Sequence, residues 1–182
     1  MTSETKNKIY LIVIILLLGA LGQIYYSYRF LPTQETQVFY NQDRALNKEV
    51  IQVIQNANEY IYFAIYTFTR LDIKDALLAA HYRGVPIIGV VDRKQTHDVD
   101  LQRQIVAELR ADGIPIFEHD HSAIMHLKTL VTENHYISGS FNWTSAATNL
   151  NDEVLEIGSK ENIRNQYEHI LKTLIKKYTP VN

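Results

Sequence analysis

The sequence predicts an α/β fold, a mixed β-sheet sandwiched between helices, with one hydrophobic helix in front of it. Three observations lead there. From residue 38 to residue 117, apolar runs suited to strands alternate with amphipathic helical patterns. Two short strands then meet tightly around Glu133-Asn134. Ahead of all this, residues 9–22 read IYLIVIILLLGALG without a single charge.

Taken in order, the apolar run comes first. Lys6 and Lys8 precede it, and Tyr25, Tyr26 and Tyr28 follow it. A bilayer core asks for about 20 apolar residues, and interfacial Tyr with flanking Lys is the usual anchoring pattern. Residues 1–30 are therefore read as a membrane anchor. Two lysines before the run and Arg29 after it orient the N-terminus inside and the rest of the chain outside the cytoplasm, periplasmic or extracellular. The alternative is an export signal cleaved behind Ala20-Leu21-Gly22, which gives a secreted protein. Residues 31–36, LPTQET, form a polar linker, and residues 37–182 form the main domain.

Within that domain, residues 38–40 are a short strand. Residues 45–57 place Leu46, Val50, Val53, Ile54 and Ala57 on one helical face. Residues 60–68, YIYFAIYTF, are β-branched and aromatic, a buried strand. Asp72 is placed to cap a helix that runs to Arg83 and stops at Gly84. Residues 85–91 are a continuous apolar strand ending at Asp92. The spacing of Ile105, Val106 and Leu109 predicts a helix over 99–111, stopped by Gly113. Strands follow at 114–117, 127–132, 135–137 and 153–157. A closing helix over 161–178 buries Ile163, Tyr167, Ile170, Leu171 and Leu174.

Composition removes several function classes. With 46% apolar and 21% charged residues the chain is globular rather than disordered. A net charge of -2, from 18 basic and 20 acidic residues, excludes a generally basic nucleic-acid-coating protein but leaves room for a local positive groove. Cysteine is absent, which removes disulfides, thiolate metal sites and cysteine nucleophiles.

The chemistry gathers late in the chain. His126 and Lys128 stand two apart on a predicted strand, so their side chains point to one face. Imidazole and ammonium repel as like charges unless an anion sits between them. Gly139-Ser140-Phe141-Asn142 adds a turn, a hydroxyl and a carboxamide, and Asn151-Asp152-Glu153 adds an acid. A nucleophile, a cation, neutral donors and a carboxylate suit metal-free attack on a phosphodiester.

The run HLKTLVTENHYISGSFN, His126 to Asn142, resembles the phospholipase D superfamily signature H-x-K-x4-D-x6-G-S-x-N. Residues 64–92 look like the first half of the small single-motif bacterial endonucleases of that superfamily. The mitochondrial cardiolipin hydrolase group is a more distant likeness. The chain departs from the signature twice: Glu133 replaces the Asp, and five residues rather than six separate it from Gly139. The resemblance implies that residues 37–182 are a phospholipase D-like catalytic domain in which Glu133 is a structural partner. His126 attacks phosphorus, Glu153 accepts from its other ring nitrogen, and Lys128, Ser140 and Asn142 hold phosphate oxygens. It implies no metal and no cofactor. The activity it implies is a phosphodiesterase, foremost a nuclease on DNA or RNA. A phospholipase D or cardiolipin-type lipid hydrolase is the alternative, and a non-catalytic phosphate-binding membrane protein is the third reading.

The family's chemistry takes two histidines, and this chain carries one H-x-K motif. A symmetric homodimer sharing one active site is therefore expected, with Phe141 and Trp143 at or near the interface. Other motifs carry less. Glu118-His119-Asp120-His121 has metal-like spacing but no third ligand, which favours a solvated loop. Arg93-Lys94 reads as a solvent-facing loop before it reads as a phosphate-steering pair. Trp143 and the Tyr60 to Tyr66 run read as core before base-stacking platform.

Overall fold

The structure, a computed structural model, describes residues 3–29, 35–43 and 45–179. They fall into two compact units, divided between Thr33 and Gln34. The first unit holds α1 (Ser3–Arg29), one unbroken helix of 27 residues. Its span from Ser3 to Gln23 is long and apolar enough to cross a membrane, and none of it is buried against protein. Residues 31–34 of the connector expected over 31–36, and the side chains of Tyr25, Tyr26 and Tyr28, lie outside what the structure describes.

The second unit runs β1 (Thr36–Tyr40), α2 (Leu46–Asn56), β2 (Ile61–Ile65), α3 (Leu71–Tyr82), β3 (Ile87–Val91), α4 (Arg93–Asp98), α5 (Asp100–Ala111), β4 (Ile116–Glu118), β5 (Lys128–Thr132), β6 (Tyr136–Gly139), α6 (Ser145–Asn149), β7 (Val154–Gly158) and α7 (Glu161–Tyr178). One seven-stranded sheet takes the order β1-β7-β6-β5-β2-β3-β4. β2, β3 and β4 are parallel, and every other neighbour is antiparallel.

The period-2 alternation of the strands builds two cores. Ile61, Phe63 and Ile65 join Leu46, Val50, Leu77 and Ile105 on the face covered by α2, α3 and α5. Ala64, Val90, Val131 and Tyr136 join Leu171, Ile175 and Tyr178 on the face covered by α7. Helices on both faces of a mixed sheet match the fold read from the sequence. α3 and α5 also stop where expected, just ahead of Gly84 and Gly113, each at φ 90.

Four local readings change. Thr36, counted as linker, already pairs with Gly158 in the β1–β7 ladder. β2 ends at Ile65 rather than 68, because Thr67 to Arg70 turn to bond Trp143: Trp143 N–H donates to the Thr67 carbonyl at 3.0 Å, and Thr69 N–H donates to the Trp143 carbonyl at 2.8 Å. Asp72 is not a cap. The N-cap of α3 is Arg70, and Asp72 lies inside the first turn, where its carboxylate takes the Arg70 guanidinium and Asn47 Nδ2 at 2.7 Å. Arg93-Lys94 is helical, not a loop. Asp92 caps α4 by accepting from Gln95 N–H at 2.8 Å.

Candidate active site

Strand direction gathers the site. β2 and β6 end, and β5 and β7 begin, at one edge of the sheet, because each is antiparallel to its neighbour in the row β7-β6-β5-β2. Residues far apart in sequence therefore meet there. β3 and β4 run parallel to β2 and also end at that edge.

His126 lies just outside β5, in the extended segment leading into it, and is exposed. This corrects the strand position read from the sequence. Lys128 opens β5 and is buried, with 7% exposure. Its Nζ donates to the His126 carbonyl at 2.9 Å. Both side chains meet one ring: His126 packs edge-on to Tyr66 at 4.7 Å, and Lys128 Nζ stands 5.0 Å from the same ring centre. Among the described residues the His126 ring has no hydrogen-bond partner, so both nitrogens are available to a ligand or to another chain.

Asn142 is oriented by its Oδ1, which accepts from Thr67 N–H at 3.3 Å and leaves Nδ2 to donate elsewhere. Gly139 has φ 154, and a Cβ there would meet the Val154 carbonyl oxygen at 2.3 Å. Only glycine lets β6 close on β7 at this point. The closure brings Ser140 to Glu153: the Ser140 hydroxyl donates to Glu153 Oε2 and accepts from Val154 N–H at 3.2 Å. Asn151 Nδ2 donates to Glu153 Oε1 at 3.0 Å.

Within one chain, then, Glu153 is held by Ser140 and Asn151 and makes no bond to His126. The carboxylate–imidazole contact that the resemblance implies is thus not made inside a single chain. Ser140 likewise serves Glu153 here rather than standing free toward a phosphate. Burial pushes the Lys128 ammonium below its ordinary pKa, and the charge of Glu153 opposes that shift. Lys128 must be charged to hold an oxyanion. Its proton is lost as pH rises through a lowered pKa, so kcat/KM on a phosphodiester is expected to fall at a lower pH than an ordinary lysine allows. Lys128→Arg should remove that alkaline limb, since guanidinium does not titrate there. A pH–rate profile reads both outcomes.

Glu133 sits in the β5–β6 turn. Its Oε1 accepts from Asn58 N–H at 2.9 Å and Asn134 Nδ2 at 3.1 Å, tying the turn to the loop before β2. Glu133→Asp should shorten that reach and cost about 1 kcal/mol in urea unfolding, while kcat stays within about twofold.

Several supporting residues escaped the sequence reading. Tyr66 carries the contact between His126 and Lys128, yet its local pattern is only that of a strand. Asn41, in the turn after β1, accepts from Glu153 N–H at 3.0 Å through Oδ1. Asp92 is fully buried, and its Oδ2 accepts from Met125 N–H at 2.9 Å, one residue ahead of His126. A lone acid closing an apolar strand was the one signal available. His119 is also buried, at 2% exposure, which corrects the solvated-loop reading. Its Nδ1 accepts from Arg93 N–H at 3.0 Å, so Nε2 carries the proton and donates to the Ala123 carbonyl at 2.7 Å. With Nδ1 unprotonated, its 3.5 Å approach to Asp92 is not an ion pair. Among the described residues no three His, Asp or Glu side chains gather as metal ligands. Phe141 and Trp143 are core: Phe141 is 0% exposed and Trp143 2%, and the Trp143 ring packs on Phe63 and Phe68. They are not available to an interface.

A family model described as "Cardiolipin synthase, PLD-like domain" matches residues 50–175. The mitochondrial cardiolipin hydrolase of Chlamydomonas reinhardtii is 29% identical over 104 residues, covering 57% of this chain and 45% of that protein. A phospholipase D of Rickettsia conorii is 27% identical over 157 residues, covering 84% and 75%. The chain spans 45% to 65% of the length of the mitochondrial cardiolipin hydrolases it matches. Among solved structures, the phospholipase D family member Nuc from Salmonella typhimurium superposes with a TM-score of 0.72 at 26% identity, covering 76% of this chain and 92% of that one.

Proposed function

Because the chain belongs to the phospholipase D-like family, we propose that it hydrolyses phosphodiesters through a phosphohistidine at His126, with a nucleic-acid strand as substrate. One observation carries the reading. An exposed imidazole with both nitrogens free stands beside a buried lysine and an oriented carboxamide at one sheet edge. A ring nitrogen of His126 attacks phosphorus, and the bond to the leaving oxygen breaks as that oxygen takes a proton. Lys128 and Asn142 Nδ2 hold the non-bridging oxygens while negative charge builds. Each such donor is worth roughly 3–4 kcal/mol in the transition state. Water then attacks the phosphohistidine and returns the imidazole.

The leaving oxygen needs a proton donor. His119 is disqualified within the chain, because both its nitrogens are already engaged. The donor in this proposal is the His126 of a second copy, in a two-fold dimer with one shared site. The same symmetry accounts for Glu153, whose contact to an imidazole is left for the dimer to complete. In place of Phe141 and Trp143, the exposed Leu127 and Leu150 flank the motifs and are assigned to the interface.

Lipid is the second reading, favoured by α1 and by the relatives named cardiolipin hydrolase and phospholipase D. As an anchor, α1 would hold the site outside the cytoplasm at a bilayer surface. The deciding experiment offers single-stranded DNA, RNA and phosphatidyl-lipid vesicles in parallel to the detergent-solubilised full chain. Oligonucleotide cleavage with an acid-labile phosphoenzyme is expected. Turnover of lipid alone would replace the nucleic-acid reading.

A further inference from the structure

Beside the nucleophile, a cavity of about 350 Å³ opens between α4 and the loop that follows β4, walled by Arg93, Lys94, His97, Asp98, His119 and His121. Its wall continues into Ile124 and so reaches within two residues of His126. The wall is fixed rather than adaptable. His119 bonds Ala123 across it, and Asp92 holds Met125 immediately behind it.

The charge here runs against that of the chain, whose net value is -2. Arg93 is exposed, and among the described residues its guanidinium has no acidic partner. Lys94 pairs with Asp98 and lies within electrostatic reach of Tyr66, the ring that His126 packs upon. The His121 ring lies tilted, 4.5 Å from the His119 ring and 6.2 Å from Tyr178, over which Lys177 Nζ stands at 5.1 Å. Of the acids nearby, Asp98 is paired with Lys94 and Glu118 takes Arg110 at 3.1 Å, while Asp120 points out as an exposed residue and is not part of the wall. The arrangement offers an unpaired guanidinium, further cations at the rim and aromatic rings, in a volume that suits one nucleotide.

We propose that this cavity is a second phosphate subsite, holding a backbone phosphate of a single-stranded oligonucleotide next to the phosphate at His126. It rests on the phosphodiesterase reading for the identity of the first phosphate. A substrate with one isolated phosphodiester leaves the cavity empty. An oligonucleotide fills both positions and gains affinity from the second.

The test measures binding and chemistry separately on the detergent-solubilised full chain. Binding of a fluorescent single-stranded hexanucleotide is followed by anisotropy across a salt series, for wild type, Arg93→Gln and Lys160→Gln. Lys160 is an exposed cation ahead of α7, where β7 has run to the sheet edge opposite the site, and it takes no part in the cavity wall. One lost single-strand phosphate contact should reduce the slope of log K against log salt by about 0.7, which is about fivefold in affinity at 0.1 M salt. Arg93→Gln should show that loss and Lys160→Gln should not. Equal behaviour of the two variants, or no change in Arg93→Gln, overturns the subsite. A loss confined to vesicles of an anionic diphosphatidyl lipid overturns it in favour of a lipid headgroup. Hydrolysis of bis(p-nitrophenyl) phosphate by wild type reports on the phosphodiesterase reading alone. If that fails while the salt slope still falls in Arg93→Gln, the cavity stands as a nucleic-acid phosphate site and the cleavage proposal falls.

Discussion

His126→Ala is expected to abolish turnover, by at least about 10⁴-fold, and to remove the acid-labile phosphoenzyme, because the nitrogen that forms the bond to phosphorus in the proposed step is gone. The fold should survive, since the residue is exposed and outside the strand ladder. The same variant tests the dimer. When it is mixed one to one with wild type and allowed to exchange, only about a quarter of the pairs keep both histidines. Activity should therefore fall to about a quarter of the unmixed value, not to half. A fall to half, with a monomer by light scattering, would mean that a donor within one chain protonates the leaving oxygen. His121 would then be the residue to mutate, as His119 has no nitrogen to spare.

Glu153→Gln should lower kcat by about 10²- to 10⁴-fold, the range in which removing a carboxylate's charge from an imidazole usually acts. Glutamine preserves the shape, so the amide oxygen still accepts from Ser140 or Asn151 and unfolding should change little. A second readout follows from charge. Glu153 raises the Lys128 pKa against the lowering effect of burial. Without that charge the ammonium is lost at a still lower pH, so the alkaline limb of kcat/KM should move down in Glu153→Gln. A near-normal rate with an unmoved limb would reassign the acid to Asp152 or Glu156.

Most strands and the larger helices were legible because their apolar periodicity is local. α4 and α6 were not. RKQTHD and SAATN carry too few apolar residues to show a helical face, and each depends on a cap, Asp92 or Thr144, whose role emerges only once the chain is folded. The site divided in the same way. His126, Lys128, Asn142 and Glu153 stood out by motif. The partner of Glu153 did not, because the Ser140 contact depends on Gly139 letting two strands close. Tyr66 and Asn41 were silent for a related reason: each acts on a segment far along the chain. His119 looked like a loop residue because its two backbone partners, Arg93 and Ala123, give no side-chain pattern to read.

The seam between β2 and β5, where the parallel half of the sheet meets the antiparallel half, has a consequence for how such a protein diversifies. His126, Lys128 and Asn142, the proposed nucleophile and oxyanion donors, lie by the ends of β5 and β6 on the antiparallel side. The neighbouring cavity belongs to α4 and the loop after β4, on the parallel side. Neither half lends its apolar core to the chemistry. Under the two proposals, exchanges at the exposed positions Arg93, Lys94 and His97 would alter the second phosphate contact without touching His126, Lys128 or Asn142. A lineage built on this sheet is free to change what it eats while inheriting its teeth intact.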